Sequence, residues 1–265
     1  MSTYKQEIAT YYDAQPLPSS QARRKGKMQH TERLATHLPA IETGGVHLDV
    51  GTGPAWLPLV LARKYPHLRS HGVDLSLESL RLGKKNVLRE GRGEAIKLYH
   101  RDVEELEIFP EACDLITCRG AFQQLLDPRR FLVNSRILLR PKGVLALALK
   151  ESSLDIYKDQ AVREALGLTF GEESKPTHAQ KELRRLVRRA GFDSIRIIAE
   201  EIEIPFYVSE RIWSGITAPL YSPLRDISAS TRLVLQDRFR DLLSSGYPSG
   251  VGAEKWSCLY AYARV

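Results

Sequence analysis

Leu48-Asp49-Val50-Gly51-Thr52-Gly53-Pro54-Ala55-Trp56 reads as a buried strand that enters a glycine-rich turn and leaves it as a helix. The run Val46 to Val50 has the apolar density of an interior strand. Pro54 to Lys64 is an apolar helical pattern whose proline comes early, where a missing N–H costs nothing. Glycines at such a junction let a ligand approach the backbone. A dinucleotide loop would need G-x-G-x-x-G and free helix N–H groups for the pyrophosphate. Here Trp56 stands where the third glycine belongs, and Pro54 removes a donor. The turn therefore suits a ligand that touches it without a phosphate, such as an adenosyl group linked to an amino acid. The plainer alternative is a tight turn with no ligand.

Outward from this turn the pattern alternates. Ser70–Leu75, Ala95–His100, Cys113–Cys118 and Val144–Leu149 read as strands, and Leu77–Arg89 and Pro128–Leu139 as helices. A helix His178–Ala190, stopped by Gly191, leads to a strand Ser194–Glu203, and a last apolar run covers Ser257–Val265. Such alternation predicts a mostly parallel sheet covered on both faces. Before it come a helix from Ser2 to about Asp13, a break at Pro16 and Pro18, a polar run Ser19–Lys27 and a second helix Met28–Leu38. We expect one elaborated domain: an N-terminal helical arm or lid over residues 1–44, a cofactor-binding core over 45–150, and the remainder over 151–265. The last part would hold a helical, substrate-capping insertion at about 205–256, with Phe206, Tyr207, Trp213, Tyr221 and Trp256.

Three acids follow the strands. Asp49 interrupts an apolar run, where a carboxylate is costly unless paired or solvated at a site. Asp74 ends the second strand 23 positions after Gly51, near the spacing at which an acid accepts both hydroxyls of a ribose. Asp102, just past the third strand, can accept from an adenine amino group or make an ordinary loop turn. All three converge on the edge where open α/β sheets bind ligands.

With these residues go Gly72-Val73-Asp74-Leu75-Ser76, His100-Arg101-Asp102-Val103, Asp114-Leu115-Ile116 and Arg136 to Gly143. In order and spacing they resemble the motifs of class I S-adenosylmethionine-dependent methyltransferases, most closely the small-molecule branch of ubiquinone and menaquinone biosynthesis. The resemblance covers roughly Val46 to Leu149. It implies a Rossmann-like, seven-stranded sheet, mostly parallel, whose antiparallel last strand inserts beside the sixth. It implies S-adenosyl-L-methionine as cofactor, with Gly51, Thr52 and Gly53 along its methionine part and Asp49 near its amino group. It also implies Asp74 on the ribose, Leu75 on the adenine face, Asp102 and the Val103 N–H at the adenine edge, and Arg119 and Gly120 toward the methyl group. Tyr11 and Tyr12 resemble the tyrosines of a helix that folds over the cofactor. Ala55 and Lys142 replace glycines of the family pattern. In Ala121-Phe122-Gln123-Gln124-Leu125 glutamine replaces a frequent histidine. A glutamine can orient an acceptor but cannot take its proton, so Gln123 and Gln124 are the expected positioning residues, with no general base named.

Composition narrows the partners. The 265 residues carry 39 Lys and Arg against 32 Asp and Glu, a net charge of +7, which would attract anions. Arg184, Arg185, Arg188 and Arg189 form the polar face of one helix, whereas Arg23 or Arg24 could clasp the cofactor carboxylate or an acidic substrate. A nucleic-acid enzyme is disfavoured: Cys118-Arg119-Gly120-Ala121 lacks the Pro-Pro-aromatic turn of amino-directed enzymes, and Thr117 precedes Cys118 where cytosine-5 enzymes have proline. The expected acceptor is a small molecule with some acidic character. The rivals are an RNA or protein methyltransferase and a non-catalytic cofactor-binding regulator or scaffold. Three cysteines without C-x-x-C spacing and seven unclustered histidines suggest neither disulfides nor a metal site. No apolar run approaches the roughly 20 residues of a membrane span, and the charged N-terminus is not a secretory signal, so a cytoplasmic protein is expected.

Overall fold

β1 (Val46–Val50) is buried along its whole length and stands at the middle of the sheet, with β2 (Arg69–Asp74) and β4 (Cys113–Arg119) parallel on its two sides. In this computed structural model the described residues are 3–14, 21–41, 44–102, 104, 112–152, 157, 160–161, 176–207 and 228–265. The remaining strands are β3 (Ile96–His100), β5 (Leu139–Ser152), β6 (Ser194–Tyr207) and β7 (Val251–Arg264), in the order β3-β2-β1-β4-β5-β7-β6. β7 runs antiparallel to both neighbours, β5 and β6. This is the expected Rossmann-like sheet, reversal of the last strand included.

Among the described residues the helices are α1 (Thr3–Ala14), α2 (Gln21–Thr36), α3 (Trp56–Lys64), α4 (Leu77–Arg89), α5 (Pro128–Leu138), α6 (Pro176–Arg189) and α7 (Ala229–Gly246). Two apolar layers sandwich the sheet. On one face Leu34, Ala35 and Leu38 from α2 and its C-terminal extension and Leu57 and Leu61 of α3 pack on Leu115, Ala146, Ala148, Tyr260 and Tyr262. On the other, Phe131 and Leu132 of α5 and Leu183 and Val187 of α6 pack on Leu48, Ile116, Leu145 and Ala261. Each large side chain so buried contributes about 1.5–3 kcal/mol, and alternation along the strands sends successive residues to opposite layers. α4 starts where Ser76 accepts from the Ser79 N–H, the cap that its sequence advertises.

Several boundaries differ from expectation. α2 begins at Gln21, so the polar run before Met28 is helical; its buried positions include Gly26, His30 and Thr31. A helix that covers a polar site rather than the core has no apolar stripe to announce its first turns. α3 begins at Trp56, with Pro54 in the preceding turn and Ala55 as a left-handed cap at φ 59°. β6 reaches Tyr207 and β7 begins at Val251, so Phe206, Tyr207 and Trp256 are strand residues; α7 lies between the two strands. Pro16, Pro18, Val103, Trp213 and Tyr221 lie outside the described residues.

Lys142 sits at φ 68° on the solvent side of the β5 entry, where the β4–β5 register shifts. A side chain there bears about 1 kcal/mol of strain. Lys142→Gly should therefore raise stability by roughly 0.5–1 kcal/mol and Lys142→Val should lower it, as read by urea denaturation.

Candidate active site

The C-terminal edge of β1, β2 and β4 is built by turns that lock one another. Gly51 at φ 68° donates its N–H to the Val73 carbonyl at 2.9 Å, and Thr52 donates to the same oxygen at 3.0 Å. A Cβ on Gly51 would stand 2.4 Å from the Ala121 Cβ, so glycine is required for the turn after β1 to meet the turn after β4. Asp74 then joins two turns: one oxygen accepts from the Gly53 N–H at 2.7 Å, the other from the Ser76 N–H at 2.9 Å. Burial raises its pKa against the pull of those donors. α4 completes the floor through Asn86, whose amide donates to the Pro54 carbonyl at 3.0 Å.

A buried polar chain runs beneath this edge. Thr117 donates to Asp49 at 2.6 Å, so its oxygen accepts from His47 Nε2 at 2.8 Å, and His47 Nδ1 accepts from Ser70 at 3.0 Å. Burial pushes His47 down to about 3, which keeps it neutral in that relay. Burial pushes Asp49 up to about 6, opposed by the Thr117 and Thr52 hydroxyls and the Arg119 charge. Arg119 ends β4 with its Nε buried and unbonded.

α1 closes over the edge. Tyr12 accepts from the Gln124 amide at 2.7 Å, and Tyr11 packs edge-on against it at 5.2 Å. Asp13 accepts from the Ser76 hydroxyl at 2.7 Å and the Glu78 N–H at 3.0 Å. Lys5 bridges Asp102 at 2.6 Å and Glu104 at 2.5 Å; burial disfavours its charge, but the two carboxylates outweigh that and raise its pKa. Asp102 also accepts from the Glu104 N–H at 3.0 Å. The Gln123 amide pairs with the main chain of Lys150, donating at 3.3 Å and accepting at 3.4 Å.

Asp49, Gly51, Thr52, Gly53, Asp74, Arg119 and Gly120 thus come to one edge, with Leu75 at its β2 side and Tyr11 and Gln124 above it. Asp102 is reached through Lys5, Gln123 is turned onto β5, and Val103 is outside the described residues. Arg23 pairs with buried Glu254 at 2.6 Å, and Arg24 is exposed. Reading the chain alone missed Lys5, Thr117 and Glu104. Their signal lies in partner geometry rather than in residue pattern, although a threonine two positions before Arg119 on the face of Asp49 could have been found by aligning β1 with β4.

Residues 48–147 match the family described as a methyltransferase domain. The malonyl-[acyl-carrier protein] O-methyltransferase of Geobacter sulfurreducens is 29% identical over 183 residues, 65% of this chain and 67% of that protein. The demethylmenaquinone methyltransferase of Thermotoga maritima is 32% identical over 100 residues, 38% of this chain and 41% of that protein. In fold the chain is similar to phosphoethanolamine N-methyltransferase 2 of Haemonchus contortus, at 15% identity and a TM-score of 0.60 over 99% of this chain and 60% of that one. These matches support a class I S-adenosylmethionine-dependent methyltransferase, with residues 48–147 as its methyltransferase domain.

The family cofactor fits the residues present. A Cβ built on Gly53 or Gly120 meets nothing within 4 Å, which leaves a backbone-lined cradle on both sides of the Gly51 contact. Arg119 Nε is a buried donor that wants an acceptor, and a ligand with a carboxylate group provides one.

Asp49 gives the site a pH signature. Its raised pKa means that the folded state keeps a proton the unfolded chain has lost between about pH 4 and 6, so its contribution to stability falls as pH rises through that window. Asp49→Asn should melt above the parent by about 1–3 kcal/mol at pH 7.5 and match it near pH 4, measured by denaturant titration across pH.

Proposed function

We propose that the protein moves a methyl group from S-adenosylmethionine to a small-molecule acceptor of acidic character, by in-line displacement driven mainly by proximity and orientation. The observation that carries this reading is the edge itself: Asp74 clamped by the Gly53 and Ser76 N–H groups, beside a glycine cradle and the unbonded Arg119 Nε. The names of the O-methyltransferase and demethylmenaquinone relatives support the small-molecule acceptor.

The cofactor supplies a methyl group on a sulfonium, whose displacement leaves a neutral thioether. For the rest the chain's own residues position and enclose. Asp74 keeps a lone pair on each oxygen after its two backbone bonds, enough for two ribose hydroxyls. Asp49 faces an ammonium group, directly or through water, and Leu75 packs on the adenine. Asp102 serves the adenine edge with Lys5 as its counter-charge. The Tyr12–Gln124 bond joins the arm, residues 1–44, to the turn after β4, so the arm acts as a lid that excludes water. Held in line, acceptor and donor gain an effective molarity of roughly 10⁵ M or more, which makes a strong base optional.

Isothermal titration should detect S-adenosylhomocysteine binding, weakened at least tenfold by Asp74→Ala in a variant that still unfolds cooperatively. Labelled cofactor incubated with cell extract should place its label in the small-molecule fraction. Label in RNA or protein would favour the rival enzyme reading, and a folded protein that binds neither S-adenosylmethionine nor S-adenosylhomocysteine would overturn the assignment.

A further inference from the structure

The face that carries Asp49 and Thr117 continues past the cofactor edge into a second polar region, under α2. Strand register defines it: Arg119 of β4 pairs with Ala148 of β5, and Ala148 with Tyr260 of β7, so the three share one row and one face. Lys150 stands one step further along that face, beside Cys258. Ala148 is buried in the core, so Arg119 and Lys150 on its two sides mark where that face turns from apolar to polar. Above the row α2 is held to the last two strands by Arg23–Glu254 at 2.6 Å, Arg33–Glu200 at 2.8 Å and His30–Tyr260 at 2.8 Å. A Cβ on Gly26 would meet Ile204 at 2.3 Å, so the helix lies hard against β6.

These contacts bring several N–H donors and positive charges together, with Asp49 beside Arg119 at the cofactor end and Glu254 paired with Arg23. With Tyr260 donating to Nδ1, neutral His30 carries its proton on Nε2, which is buried and unbonded. Arg119 Nε is also buried and unbonded, and neither Arg119 nor Lys27 forms an ion pair with a carboxylate among the described residues. Lys150 lies over the Trp256 ring at 4.1 Å, with the indole N–H buried and unbonded beneath it. The charges that act on Lys27 are Arg119 of β4, Lys150 of β5 and Arg23 of α2, all cationic, and together with burial they push it down to about 7. Buried N–H groups without acceptors and like charges set together are both costly, and a ligand of opposite sign relieves both.

We propose that Lys27, His30, Arg119 and Lys150 form an anion subsite that holds a carboxylate or phosphate group on the methyl acceptor. The inference rests on the methyl-transfer reading above and gives its acidic acceptor a place. The cofactor brings a single carboxylate; set against Arg119, it leaves the donors of Lys27, His30 and Lys150 for a second anion on the acceptor. Cationic Arg and Lys with a neutral imidazole N–H are all donors, the set that recognises an oxyanion and rejects an amide of the same shape.

The test uses the full chain saturated with S-adenosylhomocysteine and titrates benzoate, phenyl phosphate and benzamide by calorimetry. One of the acids should bind at least tenfold tighter than benzamide, and which one does so separates a carboxylate from a phosphate acceptor. Lys27→Met and, on a different element, Lys150→Met should each weaken that acid at least tenfold while S-adenosylhomocysteine affinity changes less than twofold. Lys27→Met should also melt no lower than the parent, because it removes a buried cation of similar shape, so lost binding is not lost folding. Equal binding of acid and amide, or unchanged acid affinity in both variants, overturns the subsite. Weaker S-adenosylhomocysteine binding in Lys27→Met, with 5′-methylthioadenosine unaffected, would assign the cluster to the cofactor carboxylate and likewise overturn it. Failure of the parent protein to bind S-adenosylhomocysteine would instead strike the methyl-transfer reading.

Discussion

The Asp74 carboxylate is the joint on which the cofactor edge depends. It draws one N–H from the turn after β1 and one from the turn after its own strand, so two loops from different parts of the chain become one surface. The Gly51 contact with Ala121 adds the turn after β4 to the same surface. Charge-assisted bonds to buried N–H groups are worth about 1.5–3 kcal/mol each, and without them the loops would have to find water inside a covered site. The same carboxylate that organises the floor keeps lone pairs for a ligand, so on the proposed reading folding and binding would use one group.

Beneath that joint the relay Ser70–His47–Thr117–Asp49 is an unusual content for the centre of a parallel sheet. Apolar residues of similar size would pack there without desolvation cost. Each member is satisfied by the next, which limits the penalty, and the chain ends on the one group that faces the site. Thr117 matters most in this respect, since its single hydroxyl fixes both the Asp49 rotamer and the His47 tautomer. An ionisable group poised near neutral pH at the cofactor edge is thereby held in one geometry.

Elements that cover the core were readable because their patterns answer to the core. α4 has a serine cap and an apolar stripe, and its ends fall where both predict; the β1 turn displays its glycines. α2 was misjudged by seven residues at its start because its first two turns answer to the site instead. Gly26 is the buried position there, and a glycine among basic and polar residues reads locally as a solvated linker. Lys5 and Lys27 escaped notice for a related reason: a lysine is ordinary surface until the fold sets it against carboxylates or other cations. The strand extensions of β6 and β7 follow similarly, since Phe206, Tyr207 and Trp256 look like a loop cluster until two strands pair them.

This division has a consequence for how the molecule assigns tasks. The turns after β1, β2 and β4 carry the groups expected to hold the cofactor, and the family match covers the same stretch, residues 48–147. The cationic row is assembled from α2, the end of β5 and β7, elements that lie largely outside that match and are fastened to one another by Arg23–Glu254, Arg33–Glu200 and His30–Tyr260. Arg119 belongs to both halves, being drawn to Asp49 on one side and repelled by Lys27 on the other. A charge change on either side would therefore be felt across it: an anion beside Lys27 would attract Arg119 in competition with Asp49. On the proposed reading, acceptor and cofactor would share one guanidinium, and α2, the part least legible in the chain, would supply the charge set against it.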